Sequence, residues 1–282
     1  MKFRFYLFKE SNRVYDRSEL ITYLEAQPFM SLVSDGGVKI ARYHNTQINM
    51  DAQFVLNTKS IVPDIQRLNP KYLDLNIYVE FDVLNNTYKV NKIVDLIENI
   101  CKRFDFCVYN EYFEDVQPFK RALLIKAFEL VKNGYKRKYE EEFLNYSRLD
   151  KERLDGVYEF LELKDNFEGL EEYNILHYCF LRLKESRNVY VTFDLDLSQP
   201  FIMPPHAQLV RICTENGVSI ISYEDLKKKI YKYLKLVDAK LYDVFMVEAK
   251  HFKKVKKIIL KSKFDTVKVN LKEVEFNSVL DI

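Results

Sequence analysis

The sequence predicts an α+β fold: two small domains with antiparallel or mixed sheets and packed helices, joined by a helical middle segment. Apolar and polar residues alternate near both ends of the 282-residue chain, as they do in half-buried strands. Helical periodicity follows several of these stretches and dominates the middle of the chain. We therefore predict an N-terminal α+β domain over 1–118, a helical connecting segment over 119–186 and a basic C-terminal α+β domain over 187–282.

The N-terminal elements follow from local patterns. Lys2 to Phe8 alternates as a first strand, and Ser18 is placed to cap a short helix that ends before Pro28. Asp35-Gly36-Gly37 has the composition of a hairpin turn between two short strands. The longest alternation, Leu73 to Leu84, predicts a strand with one buried face. Val90 to Phe104 then places Val90, Ile93, Val94, Ile97 and Cys101 on one helical stripe.

Helical spacing of apolar residues predicts three helices in the middle segment. They lie over 120–133, around Leu154 to Leu161 and around Leu170 to Leu183. Asn133-Gly134 is a typical helix end and predicts where the first of them stops.

A second alternation of strands and helices begins after Asn188. The predicted elements are a strand over Val189 to Leu197, short strands at Ala207 to Ile212 and Val218 to Ile221, a helix from Ser222 to about Val237, a strand over Leu241 to Val247, a helix over His251 to Leu260 and a last strand over Thr266 to Leu271.

The composition excludes several classes of protein. With 48% hydrophobic and 30% charged residues the chain can bury a core, so it is not disordered. The six glycines form neither GxGxxG nor GxxxxGK[ST], which argues against ordinary dinucleotide and P-loop sites. No apolar run reaches the roughly 18–20 residues of a membrane span. The four cysteines show no CxxC spacing and are predicted to be reduced, which favours the cytoplasm.

The formal net charge of +2 is the sum of a strongly basic C-terminal segment and an acidic remainder. Between Tyr223 and Lys272 there are 15 lysines and six acidic residues, a net charge of +9, which leaves about −7 for the rest of the chain. Five lysines follow one exposed side of the predicted last helix. They are Lys250, Lys253, Lys254, Lys257 and Lys261. Such a row can neutralise phosphates, and it would serve an acidic protein or an anionic membrane face equally well.

These features predict a non-enzymatic binding or assembly protein that contacts an anionic partner, nucleic acid or acidic protein, through the lysine-rich C-terminal face. The segment contains no arginine, which argues against reading of base edges. No cofactor is expected. Two alternatives stay open: self-association of the basic end with the acidic remainder, and a solvated face without a partner. The abundance of Lys, Asn, Ile, Tyr and Phe is typical of coding in an AT-rich genome, which also raises the lysine count.

One short motif supports an alternative, enzymatic interpretation. The apolar run Val244 to Val247 is followed by Glu248-Ala249-Lys250, and this pattern resembles the signature of PD-(D/E)xK nucleases. The resemblance implies that an Asp and Glu248 hold a magnesium or manganese ion and that Lys250 helps to activate water. The family's Asp lies on a preceding antiparallel strand. Here the candidate is Asp238, at the end of the predicted helix, so the pattern departs at that residue.

A second motif raises the hypothesis of a metal site. Asp194 and Asp196 are two apart in a predicted strand, so both carboxylates are expected on one face, where they could bind a hard cation. His206 follows Pro204-Pro205 in a rigid loop and could join them. A solvated strand face explains the same residues without a metal.

Overall fold

The structure is a computed structural model that describes residues 1–167, 169–214, 217–237, 243–267 and 270–281. Over these residues it contains seven α-helices and several β-sheets, so the predicted α+β class is confirmed. The chain divides into two units, Met1–Glu140 and Glu141–Ile282. The predicted connecting segment, 119–186, contributes residues to both units.

One antiparallel sheet organises the first unit. Its elements in chain order are β1 (Lys2–Glu10), α1 (Arg17–Glu25), β2 (Met30–Asp35), β3 (Val38–Asn45), β4 (Met50–Leu56), β5 (Tyr72–Asp82), α2 (Thr87–Phe104), β6 (Cys107–Tyr109), β7 (Gln117–Pro118) and α3 (Arg121–Lys138). The seven strands have the order β2-β3-β4-β5-β1-β6-β7. All six neighbouring pairs are antiparallel.

The core of the first unit follows the periodicities of the sequence. The predicted apolar face of β5 is buried from Leu75 to Phe81, and the predicted stripe of α2 is buried as well. Phe128 of α3 packs its ring against Phe3 and Phe81, with ring centroids 5.5 and 5.8 Å apart. Two expectations were wrong. The side chain of Asp16, rather than Ser18, caps α1, and α3 continues through Gly134 to Lys138.

The described residues of the second unit form three sheets. Its elements are α4 (Glu140–Phe143, beginning at the last residue of the first unit), β8 (Ser147–Leu149), α5 (Lys151–Leu163), β9 (Asn174–Ile175), β10 (Tyr178–Leu183), β11 (Val189–Leu195), β12 (Phe201–Met203), β13 (Leu209–Thr214), β14 (Gly217–Ser222), α6 (Tyr223–Ile230), β15 (Leu234–Leu236), β16 (Phe245–Val247), α7 (Ala249–Lys261), β17 (Leu271–Val274) and β18 (Val279–Asp281).

The two larger sheets are mixed, and the third is a single parallel pair. The five-stranded sheet has the order β14-β13-β11-β10-β17, the four-stranded sheet the order β15-β16-β12-β9, and β18 pairs with β8. Among the described strands of this unit, three pairs are parallel: β11 with β13, β9 with β12, and β8 with β18. Apolar residues of α6 and α7, including Leu226 and Val255, share one buried cluster with residues of the two larger sheets, including Phe193 and Phe201. This packing positions α7 at the surface with only one side buried.

Two predicted helices in this unit were wrong. Residues within Leu170 to Leu183 form β9 and β10, because β10 pairs with β11 on one side and with β17 on the other. The helix expected to reach Val237 ends at Ile230, and Leu234–Leu236 is a strand paired with β16. Of the predicted last strand, Thr266 bridges to Ile221 and Leu271 begins β17, while 268–269 lie outside the described residues.

Candidate anion-binding face

Helix α7 is amphipathic, and its buried side is the one that the sequence predicts. Val255 and Ile259 are buried, and Phe252 and Ile258 pack against the same core cluster. Burying such side chains contributes about 1.5–3 kcal/mol each when burial is complete. The helix is therefore held by its apolar side, and its lysines are not needed to fill the core.

The opposite side of α7 carries the predicted lysines. Lys250, Lys253, Lys254, Lys257 and Lys261 are all exposed, and we call these five residues the lysine stripe. Four of them are spaced i, i+4, i+7 and i+11, which places them on one side of an α-helix. At 1.5 Å per residue the stripe is about 16 Å long. It presents positive charge at intervals of about one helical turn.

Most of this charge has no acidic partner in the described part of the chain. Lys250 Nζ lies 2.8 Å from Glu248 Oε2. For the other four lysines of the stripe, no described carboxylate lies within 4.0 Å. Lys254 Nζ lies over the ring of Tyr233, 5.2 Å from its centroid. Exposed ammonium groups that have no described carboxylate partner can contact an external anion.

The strand and turn before β16 extend the basic surface. Lys235 Nζ lies 3.2 Å from Glu248 Oε1, and the rings of Tyr233 and His251 are 5.6 Å apart. Hydrogen bonds from Lys250 and Lys235 hold the pKa of Glu248 below its usual range. In the same turn Tyr231 is 69% exposed. An exposed aromatic ring near lysines is a feature of surfaces on which unpaired bases stack.

The structure describes two of the three residues of the nuclease-like motif, Glu248 and Lys250. Asp238 lies outside the described residues. Glu248 follows β16 and Lys250 lies in the first turn of α7, so the Glu-x-Lys motif spans a strand end and a helix start. The antiparallel pairing of β15 with β16 does provide the strand pair that the resemblance implies. The carboxylate of Glu248, however, is engaged by two ammonium groups.

The structure does not bring Asp194, Asp196 and His206 together as a cation site. Asp194 accepts hydrogen bonds from Arg211 Nε and, at 2.7 Å, from Arg211 Nη2, and Arg211 Nη1 also reaches Glu273 at 2.8 Å. Asp196 accepts from the backbone N–H and the hydroxyl of Ser198 at 2.9 and 2.6 Å. Among the residues described, no group of three or more His, Cys, Asp or Glu is arranged to hold a metal ion.

His206 has a packing environment of its own. Its ring lies directly against Gly156 of α5, where any Cβ would overlap the imidazole. Burial, together with the nearby charge of Arg153, lowers the pKa of His206. Arg153 Nη1 donates to the carbonyl of His206 at 2.9 Å. These contacts explain the loop position of His206 without a ligand.

The structure places two kinds of basic residue where the sequence did not predict them: one buried lysine and one cluster of three arginines. Lys89, in the first turn of α2, is only 7% exposed and donates to the carbonyl of Asn49 at 2.8 Å. Lys89 lies four residues before Ile93 and so shares the apolar side of the helix with it, a position that indicates burial. Arg148, Arg182 and Arg187 converge in the second unit. They lie too far apart in sequence for any local pattern to connect them.

No family model, curated protein or solved structure matches this chain. Within the described ranges, each helix is too short or too polar to cross a membrane.

Proposed function

We propose that this protein binds nucleic acid through the lysine stripe of α7, contacting phosphates without reading the base sequence. The observation that carries the proposal is the row of five exposed lysines, of which Lys250 alone has a carboxylate partner among the described residues. Lysine is a compact point charge that suits phosphate contacts, whereas bidentate recognition of guanine favours arginine. We place this activity in the cytoplasm, consistent with four free cysteines.

The exposed ring of Tyr231 favours single-stranded over double-stranded nucleic acid. Unpaired bases stack on aromatic side chains, and each stacked base contributes about 1–3 kcal/mol. The bases of a duplex are already stacked on each other. We therefore expect tighter binding to a single strand than to a duplex of equal length, with the difference reduced by Tyr231→Ala.

The test is fluorescence anisotropy with a labelled 20-nucleotide single strand at several salt concentrations. If all five lysines contact phosphates, the slope of log K against log salt is about −3.5, at 0.7 per contact. The double variant Lys253→Glu plus Lys257→Glu removes two contacts and is expected to flatten the slope by about 1.4. A matched control is Lys59→Glu plus Lys126→Glu, two exposed lysines of the first unit.

Three outcomes would contradict the proposal. Absence of binding at about 50 mM salt would remove nucleic acid as the partner. Equal losses in the α7 variant and the control would mean that only net charge matters. Binding of poly-glutamate in preference to the oligonucleotide would identify an acidic protein, or the acidic part of a second copy, as the partner.

The paired strands β15 and β16 give one specific reason to test the nuclease alternative. In this second proposal Asp238, Glu248 and Lys250 act with magnesium or manganese on a phosphodiester. Incubation with plasmid DNA and each metal is expected to give nicking that Glu248→Ala abolishes. Intact plasmid over a range of metal concentrations would rule the enzyme out and leave the binding proposal untouched.

A further inference from the structure

A cluster of arginines in the second unit lies next to an open cleft. Arg148 is in β8, Arg182 is in β10, and Arg187 is in the turn between β10 and β11. We call these three residues the β8 arginine cluster. The backbone N–H of Arg148 donates to the carbonyl of Arg187 at 2.7 Å, and Arg182 Nη1 lies 3.5 Å from the hydroxyl of the buried Ser147. Three guanidinium groups are thus held in one region by β8 and its neighbours.

The positive charge of the cluster is not neutralised by the described part of the chain. Arg187 donates to the carbonyls of Phe143 and, at 3.1 Å, Tyr146, which are neutral acceptors. None of the three arginines has a described carboxylate within 4.0 Å. Burial and the nearby charges of Arg148 and Arg182 lower the pKa of Arg187. Like charges held together in this way favour binding of an anion.

One buried donor of the cluster also has no acceptor. Arg182 Nε is buried, and in the described structure it makes no hydrogen bond. A buried donor without a partner costs about 1–3 kcal/mol, more when the group is charged. Natural proteins usually satisfy such groups with protein, water or a bound ion. The cluster therefore combines uncompensated positive charge with one buried N–H donor that the described part of the chain leaves unused.

The adjoining cleft offers room for a ligand. It has a volume of about 430 Å³ and is lined by Arg148, Asn188, Tyr190 and Gln208, among others. Asp150 also lines it, but the Asp150 carboxylate accepts from the backbone N–H of Arg153 at 2.9 Å and from Arg153 Nε at 3.3 Å. Its charge is compensated, so the unpaired charge at the cleft is positive. The volume lies within the range of small-molecule sites.

We propose that this cleft binds a small polar ligand through a phosphate or carboxylate group contacted by Arg148. Arginine binds such groups with two parallel N–H donors. Arg182 and Arg187 add positive potential near Arg148. The amide and hydroxyl groups of Asn188, Tyr190 and Gln208, which also line the cleft, suit a hydroxylated body. The described lining of the cleft includes no residue of the lysine stripe, so this site does not depend on the function of the stripe.

The test is isothermal titration of the full chain with inorganic phosphate, ribose 5-phosphate and acetate, each at constant ionic strength. We expect one saturable site for the ligand class that the cleft prefers, and Arg148→Gln is expected to weaken binding at least about tenfold. Arg148 is only partly buried and its side chain is on the opposite side of β8 from the buried Ser147 and Leu149, so this variant is expected to fold. Arg148→Lys keeps the charge but loses the paired donors and is expected to bind with intermediate affinity.

The control is Lys253→Glu plus Lys257→Glu, which is expected to bind the small anions like the wild type. Loss of anion binding in this control would place the site on the lysine stripe and overturn the proposal. Binding that does not saturate, or that Arg148→Gln leaves unchanged, would indicate an adventitious ion only. If ribose 5-phosphate binds more tightly than inorganic phosphate, the cleft recognises a phosphorylated small molecule; equal affinities would limit recognition to the anion.

Discussion

Lys89 allows a quantitative prediction about stability and pH. Its ammonium group is buried at the start of α2, where burial lowers its pKa from 10.5 to about 8. The positive end of the helix dipole also disfavours a cation in this first turn. The hydrogen bond to the carbonyl of Asn49 offsets only part of this cost.

The sign and size of the effect follow from proton linkage. Between about pH 8 and 10.5 the unfolded chain keeps the proton on Lys89 while the folded chain has released it. The unfolded state therefore binds more protons, and the free energy of unfolding rises with pH in this window. A difference of about 2.5 pKa units corresponds to about 3 kcal/mol. Below about pH 8 this contribution to stability is absent.

Lys89→Met removes the titrating group and most of this pH dependence. The measurement is urea unfolding followed by far-ultraviolet circular dichroism, for wild type and variant, at intervals from pH 7 to 10.5. We expect wild-type stability to gain about 3 kcal/mol relative to the variant across this range. Lys126→Met, at an exposed site on α3, controls for the loss of one lysine. A difference between wild type and Lys89→Met that stays constant with pH would refute the reasoning.

Two further predictions test the packing of the described core. Gly156→Ala places a Cβ 2.6 Å from Cε1 of His206, so we expect a loss of about 1–3 kcal/mol in urea unfolding; the double variant with His206→Ala should recover much of it, and additive effects would contradict the contact. Cys213 is exposed while Cys101, Cys107 and Cys179 are buried, and burial raises the pKa of Cys179 to about 12. Iodoacetamide at pH 8 is therefore expected to modify Cys213 first in the native protein, as measured by mass spectrometry of peptides. Equally fast modification of Cys101 would show that the first unit is open in solution.

Local periodicity was sufficient where one side of an element is buried and the other is exposed. The alternation over Leu73 to Leu84 predicted β5, and the apolar stripe from Val90 to Cys101 predicted α2. The same reasoning predicted both sides of α7, including the exposure of the lysine stripe. These features depend on residues three, four or two positions apart, and such neighbours are visible in the sequence.

Pairing between strands distant in sequence determined the secondary structure of segments for which local periodicity was ambiguous. Tyr178–Leu183 is a strand because β11 and β17 supply its hydrogen-bond partners, and β17 begins at Leu271, far along the chain. The pairing of Leu234–Leu236 with β16 likewise replaced an expected helix. A short apolar segment satisfies helical and extended patterns alike, and the available partner determines which one forms.

The candidate sites also differ in whether neighbouring or distant residues form them. The sequence by itself determined the α+β class, the basic end and the lysine stripe, because these depend on composition and on spacing within single elements. Only the tertiary structure showed that Asp194 pairs with Arg211 and that His206 packs against Gly156. It also showed that Lys89 is buried and that Arg148, Arg182 and Arg187 lie together, with Arg148 lining a cleft. Each of these contacts joins residues far apart in sequence, and the energy of a charge depends on which neighbours the fold places around it.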